Sequence, residues 1–237
     1  MLLPHLMKTG TIIPLETECS RIVMQLISVN IGKKEPIQNA KAWGHTGIFK
    51  RPVDAPVQVN PLGLAGDHIS DVENHGGFDQ AVYVYSTLDY DWWSAELGRR
   101  LEPGTFGENL TISDLETLPI RIGDRLHFAQ VVLEVTGPRI PCVTLAARMG
   151  DPQFLKRFVK AERPGLYCRV IAPGAVQVGE TVTLTPYVGE TFASIESFRM
   201  FHRGGTDDPA IVRRLLAAPI DIRSRRYYEA KLQELEK

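Results

Sequence analysis

The apolar positions come in short runs with period two for most of the chain. From about Met24 to Val188 the segments "MQLISVNIG", "VQVN", "AVYVY", "RLHF", "VVLEV", "LYCRVIA" and "TVTLT" are rich in β-branched and aromatic residues. Gly, Pro and Asp punctuate them, as in "IGDR" and "APGAVQVGE". This texture predicts many short strands in a closed or nearly closed barrel. Two stretches change to helical period. One spans Thr87 to Leu97, with Ser86 as its cap and Gly98 as its stop. The other is "DPQFLKRFVKA", where Asp151 is a candidate cap, Pro152 suits the first helical position, and Phe154, Leu155, Phe158 and Val159 form an apolar stripe. After Val188 the pattern is helical throughout. "TFASIESFRMFHR", "DDPAIVRRLLAA" and "DIRSRRYYEAKLQELEK" predict three short helices, with Asp208 and Pro209 as a second cap-and-proline start. These helices are expected to be a separable unit.

Composition narrows the class. The chain has 237 residues, 43% hydrophobic and 23% charged, with a formal net charge of −1. This suits an ordinary globular core and supplies no basic field for a nucleic-acid polymer. No apolar run reaches the roughly 20 residues that span a bilayer, so no membrane partner is expected. Three widely spaced cysteines do not form a disulfide framework, which favours a reducing, cytoplasmic setting. The first 23 residues contain no long apolar segment of the secretory kind, and neither they nor Cys19 are given a role.

Four stretches carry candidate chemistry. "GDHISDVENHGGFDQAVYVYS" packs His68, His75 and Asp79 among further acids, with two glycines after His75. An imidazole and a carboxylate around a Gly-Gly bend suggest a His75–Asp79 pair poised for proton transfer. His68 suits a polar loop. A zinc reading with His68, His75 and Asp79 as ligands is available, but its spacing matches no common zinc motif. "GTFGENL" offers the backbone amides of Phe106, Gly107 and Glu108 and the side chain of Asn109 to a polar heterocycle, although such a segment also suits a plain turn. "TGIFKRP" presents Lys50, a phosphate-binding candidate if other cations join it.

The fourth stretch, "PRIPC", closes a strand that stops at Gly137-Pro138. "VTLAARMG" follows as a short helix or turn, so Cys142 falls near a helix start, with Arg139 three residues before it. Both the helix end and the cation favour a thiolate, the form that attacks electrophiles and ligates soft metals. A thiol used only for packing needs neither neighbour. Cys168 is the contrast: in "LYCRV" it alternates in phase with Leu166 and Val170 and reads as core.

In their order, "TGIFKRPV", "GLAGDHISDVENHGGFDQAVYVYS", "FGENL", "IGDRL", "PRIPC" and "RPGLYCRVIAPG" resemble the MOSC domain, named for the C-terminal domain of molybdenum cofactor sulfurase. They are most similar to its stand-alone bacterial members of the YiiM type, which add a small C-terminal three-helix domain. The resemblance implies a mainly β fold with α: a MOSC-type β-barrel with peripheral helices over residues 24–189, and a three-helix domain over 190–237. Residues 1–23 match nothing in the family. It also implies association with the molybdenum cofactor, a pyranopterin that carries a phosphate. Cys142 matches the family's expected molybdenum ligand. Lys50 and Arg139 would then face the phosphate, Phe106 to Asn109 the pterin, and His75 or Asp79 would deliver protons. The implied activity is reduction of N-hydroxylated compounds, such as purine base analogues, in detoxification. With no ferredoxin-type cysteine cluster and no GxGxxG fingerprint in the chain, electrons would come from a separate donor protein. A non-catalytic carrier of the cofactor, or of sulfur as a Cys142 persulfide, is the alternative.

Overall fold

The computed structural model describes residues 23–42 and 44–237. The expectations for residues 1–22, Cys19 included, lie outside them. Seven strands form a closed barrel: β1 (Met24–Ile31), β2 (Val82–Ser86), β3 (Leu110–Ile112), β4 (Arg125–His127), β5 (Val132–Pro138), β6 (Leu166–Ala172) and β7 (Thr181–Thr185). Around the barrel they run β1-β3-β2-β6-β5-β4-β7, and the pairs Met24↔Val182 and Gln25↔Thr181 join β7 back to β1. Only β2 and β3 pair in parallel; the other neighbours are antiparallel. Closure leaves no long unpaired edge. One expected stave lies elsewhere: "VQVN" pairs with Gly174–Val176 and Gly63–Leu64 in a separate three-stranded sheet.

β2 and the first three residues of β6 send apolar side chains to both faces, and this divides the interior into two cores. Val82 and Val84 of β2, with Leu166 and Cys168 of β6, point into the barrel. Tyr83, Tyr85 and Tyr167, the alternate residues, point outward into a second, aromatic core with Trp93, Phe106, Phe154 and Phe158. The period-two geometry of a strand makes this division automatic. Helices α2 (Thr87–Leu97), α3 (Val143–Met149) and α4 (Phe154–Ala161) bear on the aromatic core. Ser86 caps α2 through Leu88 N, and Gly98 ends it in the left-handed conformation, as the sequence predicts. By contrast, α4 begins three residues after Asp151. That aspartate accepts a hydrogen bond from Gln153 N (2.8 Å) in a turn before the helix.

Three helices follow residue 190: α5 (Ser194–His202), α6 (Pro209–Ala217) and α7 (Ile222–Leu235). Asp208 caps α6 through Ala210 N (2.8 Å), with Pro209 at its first position. Their buried side chains continue the barrel's cores. Val212, Leu215, Ala218, Ile220 and Tyr228 join the barrel cluster, while Ile195 and Phe198 join the aromatic one. A polar seam adds to this contact. Arg169 of β6 donates to Pro219 O and Ile220 O (both 3.0 Å) and pairs with Asp79 (3.0 Å).

Because those side chains are buried jointly with the barrel, a chain ending at Val188 is expected to expose apolar surface and lose solubility. Leu215→Ala in the full chain should cost about 2–5 kcal/mol, the usual range for a buried leucine. Chemical denaturation of both proteins checks this. A truncated chain as soluble and stable as the whole would show instead that the helices dock without completing the core.

Candidate functional site

Cys142 is the N-cap residue of α3, extended at φ −129° and ψ 166°, and its carbonyl accepts from Leu145 N (2.9 Å). Pro138 ends β5 and Pro141 precedes the thiol, so the corner between strand and helix is stiff. Burial pushes the thiol's pKa up, but hydrogen bonding to His75 and the charge of Arg139 outweigh it and bring the pKa down to about 6. Cys168, by contrast, is wholly buried inside the barrel, and burial holds its thiol far above the ordinary range.

Arg139 is the unusual group beside that thiol. It is only 4% exposed. Nη1 donates to the carbonyl of Phe106, and the guanidinium lies over the Tyr83 ring, 4.9 Å from its centroid. Among the described residues no carboxylate pairs with it, and its buried Nε has no hydrogen-bond partner. Lys50 is also buried, but Asp67 neutralises it. Burial lowers the Lys50 pKa and Asp67 partly offsets this. The same carboxylate accepts from Gly32 N (2.7 Å) and Asn109 Nδ2 (2.9 Å). Lys50, Asn109, Gly107, Arg139, His75 and Cys142 all line one inner pocket.

The "GTFGENL" segment serves this pocket differently from the expectation. The Phe106 ring sits in the aromatic core, and Gly107 N is committed to Gly104 O (3.0 Å). Glu108 is buried, with Oε1 accepting from Tyr90 Oη (2.6 Å), Gly104 N (2.6 Å) and Thr111 Oγ1 (2.9 Å). Asn109 is committed to Asp67 and to the Tyr83 backbone, whose N–H donates to Oδ1 (3.1 Å). The segment is therefore a clamp that aims the Phe106 carbonyl at Arg139, and these donors are not free for a ligand. Gly107 stands at φ +77°, and a Cβ there would collide with Ile48.

The His75–Asp79 pair is not formed. His75 ends the single-turn helix α1 (Val72–His75), with its Nε2 4.0 Å from Asp71 Oδ2. Gly77, at φ +91°, then turns the chain away. Asp79 is carried to the C-terminal helices, where it pairs with Arg169 and accepts from Ile222 N (2.7 Å). His68 bonds Ser70 Oγ (2.9 Å). Among the described residues no three His, Cys, Asp or Glu side chains form a group able to hold a metal, so the zinc reading has no site.

Sequence reasoning passed over Asp67, Tyr83 and Gln80, all drawn from segments it quoted. Asp67 stood within the acid-rich run, but its pairing with Lys50 spans 17 residues and leaves no local pattern.

At the inner pocket a second, larger cleft begins. It lies between the Thr136–Cys142 corner and the C-terminal helices, with a volume of about 650 Å³, and it shares His75, Gln80, Cys142 and Tyr167 with the inner pocket.

Alkylation of Cys142 by iodoacetamide is expected to stay near its full rate down to about pH 7 and to halve as the pH drops to about 6. His75→Ala should move that midpoint upward, since it removes a group that favours the thiolate. Mass spectrometry of the alkylated protein reads both. A wild-type midpoint near the roughly 8.5 of an ordinary thiol would show that His75 and Arg139 do not act on Cys142.

The family model for the MOSC domain matches residues 71–183. Uncharacterized protein YflK of Bacillus subtilis is 35% identical over 159 residues, which cover 67% of this chain and 72% of that protein. A protein named Reductase from Gibberella moniliformis is 36% identical over 146 residues, 59% of this chain but 25% of that much longer one. The crystal structure of YiiM from Geobacillus stearothermophilus superposes with a TM-score of 0.72 at 26% identity, over 88% of this chain and 99% of that one. The closed barrel agrees with the structural likeness, and the chain belongs to the MOSC domain family.

Proposed function

We propose that this protein binds the molybdenum cofactor in the inner pocket and reduces N-hydroxylated compounds. One observation carries the reading: Arg139, a buried guanidinium with an unpartnered Nε and, among the described residues, no paired carboxylate, stands beside a thiol whose pKa is lowered to about 6. Among the described residues the Cys142 thiolate is the negative partner of this buried cation, so an anionic ligand would add a second. The chemistry of the cofactor suits this donor set. A thiolate is a soft ligand for molybdenum, and a phosphate is an anion for the guanidinium. The inner pocket, about 90 Å³, continues into the 650 Å³ cleft, so an extended ligand has room. The name of the fungal relative is in keeping with a reductase.

In this reading Cys142 ligates the metal and Arg139 holds the anionic end. Lys50 has three N–H donors, of which Asp67 takes one, and adds a second cation near that end. When bound, the cofactor supplies the two-electron chemistry. Reduction takes R–NHOH, two electrons and two protons to R–NH₂ and water. A separate donor protein provides the electrons. His75 delivers a proton to the oxygen that leaves as water. Asp79, held at Arg169 and α7, positions the C-terminal helices rather than transferring protons.

Cys142→Ser is expected to fold normally and to lose bound molybdenum or all reductase activity, because a serine oxygen is harder and far less acidic. Cys168→Ser should retain both, with a modest loss of stability for a hydroxyl inside the barrel. His75→Ala should lower turnover by about 10²–10⁴-fold. Elemental analysis and turnover of a hydroxylamine, on protein from a host that makes the cofactor, test all three. Bound molybdenum with no turnover would favour the carrier reading. A folded Cys142→Ser protein with unchanged metal and turnover would sink the assignment.

A further inference from the structure

His75 stands on the least self-supporting element of the site. Helix α1 is one turn long, and none of its residues is buried. An isolated turn fixes many dihedrals for few hydrogen bonds and does not hold without tertiary ties. At its start the Asp71 side chain accepts from Asn74 N (3.2 Å), and Lys41 pairs with Asp71. His75 N and Gly76 N then donate to Asp71 O (2.9 Å) and Val72 O (3.1 Å), but the Glu73 carbonyl has no later partner in the helix. Arg223, in the first turn of α7, supplies one. Its Nη1 donates to Glu73 O (2.8 Å), and its Nη2 donates to Gly76 O (3.2 Å) and Gln80 Oε1 (2.7 Å). The two carbonyls bracket His75, although 150 residues separate Arg223 from Glu73. Asp79 accepts from Ile222 N (2.7 Å) and pairs with Arg169, so the start of α7 is itself fixed to the barrel.

We propose that Arg223 is a positioning residue for His75: it caps the carbonyl end of α1 and so sets where the imidazole stands toward Cys142. The docked α7 is then part of what makes the reactive corner work. The inference deepens the reductase reading, which gives His75 its proton transfer, but its geometry does not depend on that reading. Three features single Arg223 out. A planar guanidinium reaches two carbonyls at once, which a lysine ammonium does not match, and a cation suits the carbonyl end of a helical turn. With no side chain of α1 buried, no apolar anchor replaces these bonds. The backbone beyond His75 is Gly76-Gly77, with Gly77 at φ +91°, and adds no stiffness of its own. Loss of the cap therefore frees the turn while the barrel stays folded. Arg225 is the natural control. Two residues further along α7, it makes the comparable contact within the tail, donating to Leu216 O (3.0 Å) and Ala218 O (2.8 Å) at the end of α6.

The test compares Arg223→Gln, Arg223→Lys and Arg225→Gln in the full chain. In cofactor-free protein, the pH midpoint of Cys142 alkylation should rise in Arg223→Gln toward that of His75→Ala, and should rise no further when the two changes are combined. Arg223→Lys, which keeps the charge, should restore part of the effect. Arg225→Gln should leave the midpoint at its wild-type value. Hydrogen exchange read by mass spectrometry should be about tenfold faster over residues 73–76 in Arg223→Gln, the scale of lost hydrogen bonds to a charged group, with the barrel strands unchanged. On cofactor-loaded protein, with reduced methyl viologen and a hydroxylamine, kcat should fall by no more than in His75→Ala, at little-changed KM. An unmoved midpoint in Arg223→Gln overturns the proposal even if the turn exchanges faster, since Arg223 would then be structural only. An equal rise in Arg225→Gln overturns it too, because loosening of the whole tail would then be the cause. A midpoint that moves as expected in a protein that reduces no hydroxylamine upholds the positioning role and sinks the reductase reading. A moved midpoint with unchanged kcat upholds it as well and removes His75 from the proton step. Should Arg223→Gln fail to fold, Arg223→Lys carries the same comparison.

Discussion

Arg139 is a positive charge buried inside the protein that, among the described residues, pairs with no carboxylate and faces the Cys142 thiol. Such a group is tolerated only where dipoles and π-faces are fixed around it. The Phe106 carbonyl and the Tyr83 ring provide them. Each depends in turn on structure at a distance. Phe106 is aimed by the clamp through Asn109, Glu108 and Tyr90, and Tyr83 is aimed by the outward face of β2. The Tyr83 hydroxyl is fixed by Pro164 O (2.9 Å), so the segment before β6 also belongs to the arrangement. The aromatic core packs rings, and in doing so it keeps a cation at the wall of a pocket.

The same strands account for the position of the thiols. β2 and β6 send valine, leucine and Cys168 into the barrel and tyrosines out of it. Cys142 lies beyond the end of β5, where the chain leaves the sheet between two prolines and enters α3. One cysteine is thereby sealed from solvent and lies near the Glu134 carboxylate, while the other meets His75, Arg139 and a helix start. Their reactivity differs through placement, since the side chains are identical.

The C-terminal helices are tied into this design at both levels. Their apolar residues fill the cores, and Arg169, Asp79 and Arg223 bind their polar edge to the segment that bears His75. A wall of the outer cleft, the His75 turn and the barrel's strands therefore share one set of contacts.

Local patterns were enough to place the strands and the tail helices, to cap α2 and α6, to assign Cys168 to the core, and to set Cys142 at a helix start beside a cation. Each of these depends on spacing or on neighbours a few residues away, where strand period, capping and proline act. Other features needed the tertiary structure. The match of Asp67 to Lys50, the divergence of Asp79 from His75, the use of "FGENL" as a clamp and the outer cleft all join residues distant in sequence. A carboxylate in a chain reads alike whether it meets His75 or Arg169; one left-handed glycine, Gly77, and the docking of α7 decide which. Whether Arg139 has a counterion is likewise a property of burial and of every neighbour at once, which no single stretch of sequence contains.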